Sequence, residues 1–438
     1  MSREFSIRDP ILEGIACTKE EKDLINSPLV QRLKWVTQLS MVNQVYNGAT
    51  HSRFAHSLGA LSTASDYMEH LLQTLSPYQI RECGMDRPGL PDKEHFIQVA
   101  RIAGLLHDIG HGPFSHSFDH QVYSKIYGIE DGGHDIARIE LIKHKDIYPY
   151  IETCGVSVWE LLEIWAPGTT GETFAPIYRQ MFDIIKIIVE GPLGADRMDF
   201  TRRDSYHTGM QHQGTIPVKK IIHDSKLYID KGVLRISYNA KCLGDIIRTL
   251  DGRLSMYSSV YMHRTSMAAS LLVELMLDLS CDTLNLVELT KNPITFRTLN
   301  DHKIFGMISE WQSTKYVSNG SEFYPEPNPK MERAKKLYYQ LMDRHLPKMD
   351  FEENINNLDE PYDEELYKKK WYHDRNSETF SIVKTRVLSG ISAGKFDKHN
   401  ITFHKKELHG LTCAELLEEM GYKTPIMPYY IVRGYTLQ

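Results

Sequence analysis

Residues 104–119 read "GLLHDIGHGPFSHSFD", three histidines and two aspartates beside an apolar run where a helix should pack. Adjacent His107 and Asp108 at a helix end can both turn toward one cation, the imidazole supplying nitrogen and the carboxylate supplying charge and oxygen. Two ligands do not hold a catalytic metal. The best partners elsewhere are His56 in "HSRFAHSLG" and Asp196 in "GPLGADRMDFTRRD", each in a helical segment flanked by small residues that let a side chain point inward. His56, His107, Asp108 and Asp196 would make a mixed nitrogen and oxygen site with open positions for water or substrate oxygens. Taken singly, such a residue is most often a helix cap or a satisfied polar contact. Three separate segments of ligand-type residues in core helices argue otherwise, because buried ionisable groups are costly unless paired or metal-bound. A His/Asp site suits Fe, Mn, Zn or Co, or Mg, so the expected cofactor is a divalent transition metal, Mg, or both.

Such residues need rigid elements to hold them. "SPLVQRLKWVTQL" (Ser27 to Leu39) spaces Leu29, Val30, Leu33, Val36 and Leu39 as one helix face, with Ser27 at the cap and Pro28 at the first helical position. Further helices are expected at Ser57 to Ser76, Lys93 to His107 (stopped by Gly110), His134 to Lys143 and Ile177 to Glu190. Alternating apolar and polar residues from Val218 to Asn239, on both sides of Asp230-Lys231-Gly232, read as a hairpin. Helices resume from Leu243 to Leu279. Beyond Lys291 the pattern weakens: Ser318 to Arg333 reads as a surface loop, Phe380 to Leu388 as a strand and Thr412 to Met420 as a short helix. The expected division is residues 1–290, including the hairpin at 218–238, and a mixed α/β region at 291–438 serving oligomerisation or regulation.

The 438 residues are 41% hydrophobic and 25% charged, which allows a large core in one domain with appendages or in two. A net charge of −6 provides no basic field, so nucleic acid is not expected as the main partner. "MSREFSIRDP" is charged where a signal peptide needs an apolar core, and no apolar run reaches the roughly 20 residues of a membrane span. The candidate "MAASLLVELMLDL" from Met267 is interrupted by Glu274 and reads as a buried amphipathic helix. The expected location is cytoplasmic, or nuclear in a eukaryote. Cys17, Cys83, Cys154, Cys242, Cys281 and Cys413 show no CxxC spacing, which argues against a zinc ribbon or a disulfide framework.

"RFAHSLG", "LLHDIGHGPFSH" and "GADRMDFTRRDSYHTG", in that order, resemble the H…HD…D signature of the HD-domain phosphohydrolases. More narrowly they resemble the deoxynucleoside triphosphate triphosphohydrolases, with no sterile-alpha-motif domain expected in this chain. The match is dense from about Ile7 to Leu279 and fades in the last third. The resemblance implies a mainly α, HD-domain helical fold and metal-dependent hydrolysis of a dNTP to deoxynucleoside and inorganic triphosphate. It also implies a homo-oligomer, dimer or tetramer.

That chemistry needs protons and cations in defined places. His111, four residues after His107, would lie close to the metal without coordinating it and suits a general acid/base. The resemblance makes Asp119 and His134 a pair that tunes His111 or replaces it, and makes His116 a phosphate contact. Arg53, one helical turn before His56, together with Arg197, Arg253 and Arg264, would clamp a triphosphate. Gln38 and Leu39 match the family's sugar-reading pair; an apolar wall leaves a 2′-hydroxyl unpartnered, at about 1–3 kcal/mol. Asp204 matches the acceptor of the 3′-hydroxyl and Tyr261 the aromatic that packs on the sugar. Phe200 stands where a phosphate-bonding tyrosine is common, and Tyr257 replaces a histidine. Asn26, Gln31 and Lys34 match the family's activator-reading positions. Asparagine there removes the carboxylate that takes two guanine protons, so any nucleotide activator is expected not to be strictly guanine. Two alternatives stay open: an HD phosphatase or phosphodiesterase for nucleoside monophosphates, cyclic nucleotides or another phosphorylated metabolite, and a nucleotide-sensing scaffold.

Overall fold

The computed structural model describes residues 3–82, 86, 91–129, 131–169, 171, 174–230, 232–312, 316–318, 321–323, 328–355, 380–387, 402–403 and 429–436. The expected mainly α fold is observed. Its site-bearing helices are α1 (Arg53–Gln73), α2 (Lys93–Leu106), α3 (Gly133–Ile142), α4 (Pro176–Glu190), α5 (Ala195–Thr208), α6 (Leu243–Met256), α7 (Arg264–Ser280) and α8 (Asp301–Ser309).

The core grows from α1, α2 and α4. Asp92 caps α2 by accepting the His95 N–H at 2.9 Å, and Phe96, Val99, Ile102, Ala103 and Leu106 are fully buried. In α4, Met181, Ile184, Ile185 and Ile188 repeat at helical spacing and are almost wholly buried. Burying each such side chain contributes about 1.5–3 kcal/mol. Helix α1 begins at Arg53 rather than Ser57, so Arg53 and His56 share its first turn. The sheets are small. Phe5–Asp9 pairs antiparallel with Glu13–Cys17, and Ser225–Asp230 pairs antiparallel with Val233–Tyr238. Near the C-terminus, Tyr429–Thr436 lies between Lys348–Ile355 and Phe380–Val387, antiparallel to both. Buried Tyr435 docks that sheet on Ala268 and Leu271 of α7.

Two further expectations are corrected. The helix from Ser27 stops at Arg32, with a short 3-10 turn over Leu33–Trp35, and Ser27 makes no side-chain cap bond. Val36 is extended because its carbonyl accepts the Arg53 N–H, and the Gln38 N–H donates to the His51 carbonyl, so ladder bonds win over helix propagation. Val218–His223 is a helix, not the start of a strand; Val218, Ile221 and Ile222 are buried at the i, i+3, i+4 spacing of one helix face. The helices expected from Leu243 to Leu279 are present as α6 and α7, separated by a wide π turn at Tyr257–Tyr261, with His263 capping α7. The strand at Phe380–Val387 is present, and the helix expected at Thr412 to Met420 lies outside the described residues.

Candidate metal centre and active site

Three helix ends converge. The first turn of α1 carries His56, the turn leaving α2 carries His107 and Asp108, and the first turn of α5 carries Asp196. His56 Nε2 lies 3.1 Å from His107 Nε2, 3.2 Å from Asp196 Oδ1 and 3.7 Å from Asp108 Oδ2. His107 Nε2 lies 3.4 Å from Asp108 Oδ1 and 3.5 Å from Asp196 Oδ1.

The other ring nitrogens decide what this cluster can hold. His107 Nδ1 donates to the Gly104 carbonyl at 2.8 Å, and His56 Nδ1 donates to Asp199 Oδ2 at 2.9 Å. In the neutral rings both Nε2 atoms are therefore bare, two lone pairs facing each other between two carboxylates. That arrangement repels itself unless a positive charge sits between them, and the donor set of two imidazoles and two carboxylates suits a divalent cation. When a proton fills the role instead, burial alone would lower the His56 pKa, but hydrogen bonds with Asp196 and Asp199 outweigh burial and raise it to about 10.

Asp199 belongs to a buried chain. Arg203 donates to both of its oxygens, at 2.8 and 2.9 Å, and to Asp9 Oδ2 at 2.7 Å. Burial is overcome by Arg203 and His56, which hold the Asp199 carboxyl down at about 2. Gly59 makes room for it, since a Cβ there would fall 1.9 Å from Asp199 Oδ1.

On the other side of Asp108 lie three more histidines. His111 Nε2 is 3.4 Å from Asp108 Oδ1, and its ring stacks on His134 with centroids 3.8 Å apart. Gly110 permits this approach, because a Cβ would meet the His134 carbonyl at 2.0 Å. Asp119, opening a π-helical turn, accepts from His134 Nδ1 at 2.7 Å and from the His134 backbone N–H at 3.0 Å. Burial would raise the Asp119 pKa, yet its hydrogen bonds with His116 and His134 hold it far below the usual carboxylate range. Burial would lower His134, and Asp119 outweighs it, so His134 is raised. His111 is the opposite case: burial, then the charges of Arg53 and His134, push it well below its ordinary value. His116 is mostly exposed, with Nδ1 3.3 Å from Asp119 Oδ2.

The expected cation clamp is only partly assembled. Arg53 is buried and committed to Asp108 Oδ2 at 2.5 Å and Ser115 Oγ at 2.9 Å. Arg197 donates to the Glu190 carbonyl, and its pKa is lowered by burial and then by nearby Arg253. The Arg253 guanidinium lies 6.0 Å from the Phe200 ring and 5.7 Å from the Tyr257 ring. Arg264 opens α7 with an exposed side chain and joins no contact with the other three among the described residues. Phe200 lies between the His56 and Tyr261 rings, at 6.4 and 6.3 Å.

Asp204 is buried with both oxygens engaged, Oδ1 by His51 Nε2 at 2.8 Å and Oδ2 by the Tyr261 hydroxyl at 2.6 Å. Leu39 and Tyr261 pack on one apolar cluster of Val42, Ala49, Met256 and Val260, and the Gln38 side-chain oxygen is buried without a partner. Asn26 ends the helix Lys19–Ile25, Gln31 donates to the Ile25 carbonyl at 2.8 Å, and Lys34 lies over the Phe54 ring at 4.6 Å. Sequence reasoning missed Asp199, Arg203, Asp9 and His51. For Asp199 and Arg203 a signal existed: they follow Asp196 at one-turn intervals along α5.

Residues 53–185 match the family model described as an HD domain, a segment that holds every expected His and Asp of the site except Asp196 and Asp204. An uncharacterised protein of Methanocaldococcus jannaschii is 29% identical over 268 residues, covering 61% of this chain and 48% of the relative. The human deoxynucleoside triphosphate triphosphohydrolase SAMHD1 is 26% identical over 275 residues, 59% of this chain and 42% of the relative. Its Dictyostelium discoideum homologue is 24% identical over 390 residues, 88% and 66% respectively. The chain spans about half the length of the first two relatives. Among the described residues no helix is long and apolar enough to cross a membrane.

Proposed function

The chain belongs to the HD-domain phosphohydrolases, and from that premise we propose that it hydrolyses deoxynucleoside triphosphates to deoxynucleoside and inorganic triphosphate. The observation that carries the reading is the pair of bare Nε2 atoms of His56 and His107, set between Asp108 and Asp196 and beside the His134–Asp119 pair. His56, His107, Asp108 and Asp196 would hold a divalent cation, which when bound supplies Lewis-acid polarisation of a phosphoryl oxygen.

The chain's own residues do the rest. Water adds to the α-phosphorus, the bond from phosphorus to O5′ breaks, and His134, charged through Asp119, gives its Nε2 proton to O5′, while the attacking water releases a proton to solvent, from which His134 is recharged. His111, kept neutral, fixes the His134 ring by stacking and leaves the proton-donating role to it. Arg197 and Arg253 meet phosphate charge, with His116 at the exposed side. Asp204, oriented by His51 and Tyr261, accepts the 3′-hydroxyl, and Gln38 and Leu39 wall the sugar so that a 2′-hydroxyl has no partner. Regulation by a nucleotide at Asn26, Gln31 and Lys34, homo-oligomer assembly and a cytoplasmic location complete the proposal.

A second reading draws on the commitment of Arg53 to Asp108 and on the exposure of Arg264, which leave two expected cations for the phosphates and favour a smaller phosphorylated substrate. One assay separates the two. Purified protein with Mn2+ or Mg2+ is given the four dNTPs, the four NTPs, dAMP and cyclic AMP, and products are resolved by ion exchange. Intact triphosphate from dNTPs, lost in His107→Ala, supports the triphosphohydrolase; turnover confined to the monophosphate or cyclic nucleotide supports the alternative.

A further inference from the structure

Between His111 and His116 the backbone turns through two consecutive residues with positive φ, Phe114 at 59° and Ser115 at 57°. Neither is glycine, so this conformation persists only if its surroundings impose it. Two distant segments do so. Arg32, 2% exposed, donates from Nη2 to the carbonyls of Ile109 and His111, at 3.0 and 2.6 Å, and from Nη1 to the Leu299 carbonyl at 3.4 Å. Its guanidinium covers the Phe296 ring at 4.1 Å, and among the described residues no carboxylate pairs with it. A buried cation spent on backbone carbonyls fixes those carbonyls and gains no ion pair.

Asp301, the first residue of α8, closes the other side. Oδ1 accepts the Phe114 N–H at 2.8 Å, while Oδ2 accepts the Thr37 N–H and hydroxyl at 2.9 and 2.7 Å. Ser115 Oγ then donates to the Thr37 carbonyl at 2.9 Å, and Phe114 packs on Phe305 of α8. Segments 32–37, 109–115 and 299–301 therefore form one closed ring of hydrogen bonds. Asp301 lies in the region expected to serve oligomerisation or regulation, yet it bonds directly to the loop on which His111 and His116 are mounted.

We propose that Arg32 and Asp301 are positioning residues that hold loop 109–115 in its strained form, and thereby set the His111 ring against His134 and Asp108. The catalytic consequence rests on the function proposed above; the positioning itself does not. The test compares the full-length protein with Asp301→Asn, whose single acceptor oxygen cannot serve both the Phe114 N–H and Thr37, and with Arg32→Lys and Arg32→Met. Hydrogen exchange by mass spectrometry reads peptides spanning 109–116, beside bound-metal stoichiometry and thermal unfolding. Expected are about tenfold or faster exchange in that loop, unchanged exchange in α1 and α4 and unchanged metal stoichiometry. Turnover of whichever substrate the wild type accepts should fall about 10- to 100-fold, with KM held within about threefold. Arg32→Lys should lie between wild type and Arg32→Met. Should Arg32→Met fail to fold, Asp301→Asn decides alone. Unchanged loop exchange, or faster exchange with unaltered kcat, overturns the proposal. A wild type that leaves dNTPs intact overturns the substrate reading and leaves the loop measurement to judge the clamp.

Discussion

Replacing Asp199 by Asn separates a metal-site role from a structural one. The side chain keeps its shape, and its remaining carbonyl oxygen can still accept from His56 Nδ1 or from Arg203, but not with a full negative charge. Outer partners of ligating histidines are typically worth about 10- to 100-fold in metal affinity, or roughly 1.4–2.8 kcal/mol. The stability cost should be smaller than the roughly 3–5 kcal/mol of a fully broken buried ion pair, because Arg203 retains Asp9 at 2.7 Å. We expect about 1–3 kcal/mol in chemical denaturation of the metal-free protein. Chelator-stripped protein is titrated with Mn2+ against a fluorescent chelator, with Asp278→Asn, an exposed acid paired with Lys125, as control. An affinity within twofold of wild type, alongside the expected loss of stability, would refute the orienting role and leave Asp199 a counter-ion for Arg203.

Other expectations follow from the same geometry. His134→Gln should bind metal normally and lower kcat by about 10²- to 10⁴-fold in steady-state kinetics, whereas equal activity would remove His134 as the proton donor. Gly59→Ala forces a methyl group onto Asp199 and should cost about 1–3 kcal/mol in denaturant melts as well as weakening metal binding; a neutral result would mean that α1 and α5 part without penalty. His95 is pulled down by burial and raised more strongly by Glu160 at 2.6 Å, so its folded pKa lies above its ordinary 6.5. The stabilisation by this pair is fully present below about pH 6.5 and is lost as pH rises through the raised value. His95→Ala should therefore cost more at pH 5.5 than at pH 9, and a larger cost at the higher pH would contradict the pairing.

Much of the candidate site could be read in the chain because its proposed ligands lie where helices end. His107 and Asp108 are adjacent, and His56 and Asp196 each open a helix, so local spacing pointed to two carboxylates that the fold brings within 3.2–3.7 Å of the Nε2 atoms of His56 and His107. What sets their orientation was harder to read. Asp9 reaches Arg203 across 194 positions, and no local pattern marks such a pair. The π turns that present Asp119 and Tyr261 leave no periodic trace, because one extra residue per turn looks like continued helix. Val36 leaves its helix for bonds with segment 51–53, a tertiary competition that apolar spacing does not record. The arginines were the weakest inference, since a guanidinium's partner depends on which way a long side chain turns. Arg53 turned to Asp108, and Arg264 to solvent.

The most direct test of the central claim is hydrolysis of dNTPs in ¹⁸O-labelled water, with mass analysis of both products. The account predicts one ¹⁸O in intact inorganic triphosphate and none in the deoxynucleoside, the mark of attack at the α-phosphorus with cleavage to O5′. Label in the deoxynucleoside, or products cleaved between phosphates, would contradict it.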